Sequence, residues 1–261
     1  MDNKAMLKIA MEQSAIDLSC SAEDFLSDEN KVVISRENKK ARKYLKLPFL
    51  INFVSYGNNV VASCSNEYKS IAEDYLKSFT FYHLFETPNL YFLNTKLESL
   101  NANACFMAEY WLPDLNLLKP LECEFETRLL SKEDFCELYK PEWSNALCKA
   151  RKNLDILAYG AYDNDMLIGL AGCSMDCEDM WQIGVDVLPK YRRKGIASAL
   201  TSKLALEIIK RGKVPFYCCA WSNLKSVGNA LKSGFKPAWV EMTVKETSFT
   251  DEMNKVNGAE N

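Results

Sequence analysis

Hydrophobic and polar positions are patterned more sharply in the second half of this 261-residue chain than in the first. Ile196, Leu200, Leu204 and Ile208 recur every four residues, with Ala197 and Ala205 beside them, which predicts one apolar face of a long helix. Lys210 and Arg211 fall in its last turn and Gly212 follows as a C-cap. Upstream, Met180 to Val187 reads as a strand stopped by Leu188-Pro189. Asp155 to Tyr162 and Met166 to Met175 are two strands around the turn Asp163-Asn164-Asp165. Cys123 to Leu129 predicts another strand. Ser131 opens a helix with Asp134 in a weak capping box and Phe135, Leu138 and Tyr139 on its apolar side. Downstream come a strand at Val214 to Ala220, a helix from Ser222-Asn223 to about Ser233 closed by Gly234, and a strand at Pro237 to Val244.

The first half is quieter. Met1 to Cys20 and Ala22 to about Asp28 predict helices, the second capped by Ser21 with Asp24 three residues on. Leu47 to Ser55 and Val60 to Ser63 flank Tyr56-Gly57-Asn58-Asn59 as a hairpin. Ser65 precedes a helix over Glu67 to Ser78. A short helix at Thr95 to Leu100 and a strand at Ala104 to Trp111 follow. Leu112-Pro113 and Asp114-Leu115-Asn116 read as a linker. The expectation is two domains: a smaller α+β accessory domain at 1–118, and a mixed α/β domain at 119–261.

Composition narrows the classes. The chain is 48% hydrophobic and 26% charged, which fits a globular protein and excludes global disorder. A net charge of −3 disfavours a general nucleic-acid binder. No run approaches the roughly 18 to 20 apolar residues of a membrane span. Met1 to Cys20 lacks a signal-peptide core, so a cytoplasmic setting is expected. Ten dispersed cysteines without a C-x-x-C pair read as reduced, mostly buried thiols. Cys173 with Cys177, or Cys218 with Cys219, are weak metal candidates, and none is assigned. His83 is the only histidine, which removes most zinc sites and histidine-based nucleophile pairs.

The chemistry concentrates after Val187, where a strand end, a basic loop and a helix start follow one another. Helix-start N–H groups lack intrahelical partners and, with the helix dipole, attract anions. Gly195 lets the backbone approach a phosphate. Residues 181–215 carry a net charge of +6, which suits a polyanionic ligand. The bland alternative is a solvated turn at Arg192, Arg193 and Lys194. A Walker loop and a dinucleotide fingerprint are both missing.

Arg192-x-x-Gly195-x-Ala197 matches the Gln/Arg-x-x-Gly-x-Gly/Ala signature of the GNAT superfamily of N-acetyltransferases. The wider string IGVDVLPKYRRKGIASAL, Ile183 to Leu200, resembles that family more specifically. Asn223, Ser226 and Gly234-Phe235 fall at its spacing, and the order of elements from about 121 to 245 is similar. The resemblance covers about half the chain and is nearest to bacterial members with an extra N-terminal region. It implies a GNAT-like core with a splayed central sheet and acetyl-CoA as co-substrate.

The resemblance also implies roles. The loop Arg192, Arg193, Lys194, Gly195, Ile196 and Ala197 would bind the pyrophosphate, and Ser198 would continue the first helical turn. Val185 and Val187 would hydrogen-bond the pantetheine arm, the Val187 N–H polarising the thioester carbonyl. Asn223 and Ser226 would contact the arm, with helix capping as the alternative. The tyrosine that protonates the leaving thiolate in many members is here Ala230. Tyr217 or water are substitutes, or no acid is needed. Asp186 and Glu126 are candidate bases, as are Asp176, Glu178 and Asp179, all with solvated charge as the alternative. Trp181 and Trp221 are candidates for an acceptor pocket or for core. The expected activity is acetyl transfer to a primary amine, on a small molecule or a protein, by direct attack in a ternary complex. The alternative is a weak or inactive CoA-binding interaction module. For residues 1–118, a wall of the acceptor pocket, homodimerisation and a decayed acetyltransferase unit all stay open.

Overall fold

The computed structural model describes residues 1–258. In chain order the strands are β1 (Lys31–Ile34), β2 (Ile51–Ser55), β3 (Val61–Cys64), β4 (Ala102–Pro113), β5 (Glu126–Ser131), β6 (Asp155–Asp163), β7 (Met166–Ser174), β8 (Met180–Val187), β9 (Val214–Cys219) and β10 (Phe235–Glu246). The α-helices are α1 (Asn3–Leu18), α2 (Lys69–Ser78), α3 (Thr87–Leu97), α4 (Ile196–Lys210), α5 (Leu224–Lys232) and α6 (Thr247–Gly258). The mixed α/β class is as expected. Among the described residues no helix is long and apolar enough to cross a membrane.

Two compact units emerge, each assembled from separate stretches: 1–10 with 110–238, and 11–109 with the described residues from 239 onward. They differ from the expected contiguous segments 1–118 and 119–261. The reason lies in strand pairing: Val240 to Val244 of β10 pair antiparallel with Ser55 to Ile51 of β2, which draws the end of the chain into the second unit.

In the first unit β5, β6, β7 and β8 pair antiparallel in sequence order, and β9 joins β8 in parallel. Strand alternation separates two apolar faces. Ala171 and Cys173 share one core with Ile196, Leu200, Leu204 and Ile208 of α4. Those four helix residues are at most 1% exposed, and burying each is worth roughly 1.5–3 kcal/mol. Leu170 joins the second cluster with Phe135, Trp143, Ala146 and Leu147. The segment covering that second face is not the helix expected from Ser131. It is three separate 3-10 turns, Lys132–Phe135, Pro141–Trp143 and Lys149–Arg151. The capping box does form, with the Ser131 N–H donating to Asp134 Oδ2 at 2.8 Å. Pro141 then excludes Lys140 from helical backbone, and Lys140 is extended at φ −115.

In the second unit the strand order is β1-β3-β2-β10, and only β1 with β3 is parallel. One face buries Phe53, Tyr75, Leu93 and Met242 in a common core. Elsewhere in this unit lies a buried ionic group. The Arg42 guanidinium spans Asp17 and Glu241, and all three side chains are at most 4% exposed. Asp17 also accepts from Gln13 Nε2 and the Arg42 N–H, both at 2.9 Å. Trp239 Nε1 donates to Glu241 at 2.7 Å. Burial pushes the Asp17 carboxyl above its ordinary range, and Arg42 opposes that shift.

Arg42→Ala leaves two buried carboxylates without their cation. It should cost about 3–5 kcal/mol in urea unfolding, whereas a loss below about 1 kcal/mol would show that the group contributes little. In the first unit Asp114 pairs with Lys236 and accepts from Asn3 Nδ2 and the Asn116 N–H. The Lys236 hydrogen bond first, then those N–H donors, hold its carboxyl at about 2. The stabilisation is therefore complete above the ordinary aspartate range and is lost as pH falls toward 2. Asp114→Asn should lower Tm at pH 7 and remove that acid-range slope.

Candidate active site

Between β8 and β9 the ladder runs for three positions, Met180↔Val214, Trp181↔Pro215 and Gln182↔Phe216. Beyond them the strands part. A cavity of about 870 Å³ opens there, walled by the end of β8, the loop after it, the first turn of α4, and α5.

The ladder on the other side of β8 decides which way its peptide groups point. The Leu188 N–H donates to Ile168 O at 2.9 Å, so that pair is hydrogen-bonded. Antiparallel ladders alternate, and Val187 opposite Gly169 and Val185 opposite Ala171 are then the non-bonded pairs. Their N–H groups face away from β7, into the gap. Arg192 Nε donates to Val187 O at 3.0 Å and ties the loop to the strand end.

The loop ends at Gly195, the N-cap of α4, with φ +78. This left-handed conformation suits glycine. The first N–H-to-i−4 bond of α4 is from Ala199 to Gly195 O, at 3.0 Å. The N–H groups of Ile196, Ala197 and Ser198 thus have no such partner within the helix. A side chain at Gly195 would point toward Lys232 Nζ, 3.9 Å from the ideal Cβ position. An ammonium therefore stands over the helix start.

The structure brings together most of the expected residues. Val185, Val187, Arg192, Arg193, Gly195, Ile196, Ala197, Ser198, Ser226 and Asp186 line the cavity. Three do not. Lys194 is turned to Glu124 at 3.2 Å and lies over the rings of Phe125 and Tyr191. Asn223 caps α5, its Oδ1 accepting the Ser226 N–H at 3.2 Å. Glu126 sits on β5 with both carboxylate oxygens on the Arg128 guanidinium, at 2.7 and 2.8 Å. The base candidates fare no better. Asp186 accepts the Asn145 N–H, Asn145 Nδ2 and the Ala146 N–H at 2.8, 2.7 and 2.9 Å. Asp176 pairs with Arg151 and Asp179 with Lys213. Trp181 is core, whereas Trp221 is 53% exposed and lies outside the cavity wall.

Sequence reasoning missed Lys225, Asn229 and Lys232, which also line the cavity. Their spacing of four and three along α5 is a helical stripe, and it was legible once the helix was recognised. Tyr191 and Asn145 line it too. Tyr217 is 4% exposed, and burial raises its phenol above the ordinary range against the hydrogen bonds of Ser226 and Asn229. Ala230 is wholly buried in the core. Among the described residues no group of three or more His, Cys, Asp or Glu could hold a metal.

Residues 114–238 match the family model of the GNAT acetyltransferase. That stretch, just under half of the chain, is a GNAT acetyltransferase domain. No curated protein matches it. Similar solved structures include a GCN5-related N-acetyltransferase-like protein from Streptococcus suis, 18% identical, with TM-score 0.43 over 59% of this chain and 68% of that one. A GCN5-related N-acetyltransferase from Kribbella flavida is 12% identical, with TM-score 0.46 over 61% and 64%. The aminoglycoside N-acetyltransferase AAC(6')-Iy, in complex with CoA, is 19% identical, with TM-score 0.35 over 46% and 93%. The chain thus spans about two thirds of the length of the first two.

The Asn223 cap generates its own test. Asn223→Ala should cost about 1 kcal/mol of stability, and Asn223→Asp should restore most of it. Equal losses in both variants would count against capping as its main task.

Proposed function

We propose that this protein transfers the acetyl group of acetyl-CoA to a primary amine, by direct attack within a ternary complex. The observation that carries the reading is the gap between β8 and β9, with the Val185 and Val187 N–H groups turned into it and an anion-binding helix start beside it. The cavity suits the co-substrate chemically. The N–H groups of Ile196, Ala197 and Ser198 fit a pyrophosphate, and Arg192, Arg193, Lys225 and Lys232 supply the cationic lining.

On this reading the arm of acetyl-CoA runs along the parted edge of β8. The Val187 N–H polarises the thioester carbonyl, a fixed dipole placed where negative charge develops. The amine attacks that carbon as the free base, the C–S bond breaks, the nitrogen gives up one proton to solvent and the sulfur takes one up, so that a neutral amide and the thiol of CoA leave. Of the two tyrosines in the wall, Tyr191 gives its hydroxyl to Asp163 at 2.8 Å, which leaves Tyr217 to face the departing sulfur. Asp186 is not assigned as base, because its oxygens already accept three N–H bonds. Glu126 is not assigned either, because it lies off the cavity on its arginine. Those engaged carboxylates, with Ala230 in the core, favour a CoA-binding module of little activity as the second reading. The same reading keeps the protein in the cytoplasm, on its ten dispersed cysteines.

Isothermal titration with acetyl-CoA should give micromolar or tighter binding and little binding of ATP. Gly195→Trp should fold and lose that binding at least about tenfold, by filling the space under Lys232. Thiol release with a panel of primary amines separates the two readings. Turnover supports transfer, and binding without turnover supports the module.

A further inference from the structure

Asp186 was expected to act on a proton, and its surroundings give it a different task. Its carboxylate holds the loop 143–148 against β7 and β8 through two backbone N–H groups and one side chain. The strands are shaped to receive that loop. Gly172 and Gly184 are register partners across β7 and β8. A Cβ on Gly184 would stand 1.8 Å from Asn145 O, and one on Gly172 would stand 2.1 Å from Ala146 O. Both contacts are to backbone, so neither could relax cheaply. Trp143, Ala146 and Leu147 anchor the loop in the apolar cluster beneath.

The loop carries one residue into the cavity wall, Asn145. Its amide orientation is fixed by chemistry. A carboxylate only accepts hydrogen bonds, so the nitrogen must face Asp186. The oxygen, Oδ1, is then directed away from Asp186 on an exposed residue, and no protein donor to it is found among the described residues. Strand alternation places Asp186 on the face of β8 opposite Val185 and Val187. The latter two pack toward the α4 core. An arm that enters the gap from the α4 side therefore leaves the Asn145 side for the second reactant.

We infer that Asn145 is an acceptor-binding residue, its Oδ1 accepting an N–H of the incoming primary amine, and that Asp186 is the positioning residue that holds it there. This inference rests on the transferase reading above and adds the amine's recognition to it.

The test is steady-state thiol release at saturating acetyl-CoA, with n-butylamine, spermidine and a lysine-containing peptide as probes. Asn145→Ala removes the oxygen and keeps both backbone N–H bonds to Asp186, so the loop stays held. It should raise the KM of the amines that react by about tenfold, the loss of one hydrogen bond to a charged group. The dissociation constant for acetyl-CoA should not move. Asp186→Ala frees the loop and should raise the same KM with the same unchanged cofactor affinity. If Asp186→Ala raises KM and a folded Asn145→Ala does not, the loop is only structural and the inference is overturned. If the wild-type protein binds acetyl-CoA and releases no thiol with any probe, the transferase reading itself fails.

Discussion

The site depends on one discontinuity in hydrogen bonding. β8 and β9 pair as far as Gln182 and Phe216 and then separate. A parallel edge that stops pairing leaves peptide N–H groups without partners, which is costly unless a ligand or water takes them. Here the ladder on the other side of β8 fixes those groups as Val185 and Val187. The same parting makes room for the cavity and sets α4 and α5 along its wall. The helix start at Gly195 and the strand edge thus face one space, one suited to phosphate and the other to an extended arm.

Around that gap the protein uses its charges to position backbone. Arg192 reaches back to Val187 O, Asp186 gathers the Asn145 loop, and Asp155 accepts from Cys148 N and Ser174 Oγ at 3.0 and 2.9 Å. Burial raises the Asp155 carboxyl above its ordinary range while those donors oppose the shift. Arg192 and Asp186, which the sequence marks as chemically interesting, thus act as fasteners, as Asp155 does. The cations left along the cavity are those of the loop and of α5.

Much of this was legible in the chain because it rests on local rules. The four-residue spacing of Ile196 to Ile208 fixed α4, Pro189 ended β8, and Gly195 with its basic neighbours marked the anion site. What was not legible depends on distant pairing. Glu126 and Asp186 looked equivalent as carboxylates on strands, and only their partners, Arg128 and Asn145, separate them. The discontinuous make-up of the two units was not legible for the same reason, since nothing local to Trp239 says that the following residues pair with β2. β1 was missed, and of α3 only the end from Thr95 was read, because a four-residue strand and the continuous apolar run Leu90 to Leu93 carry no clear period. The short turns after Ser131 were read as a helix because a capping box looks the same before one turn or four.

The most direct measurement of the central claim is amide hydrogen exchange with and without acetyl-CoA, read residue by residue. The account predicts that protection gained on binding is concentrated at the N–H groups of Val185, Val187 and 196–198, with a smaller effect along α5. Binding that leaves those amides exchanging as before, or that protects a different part of the chain, would contradict it.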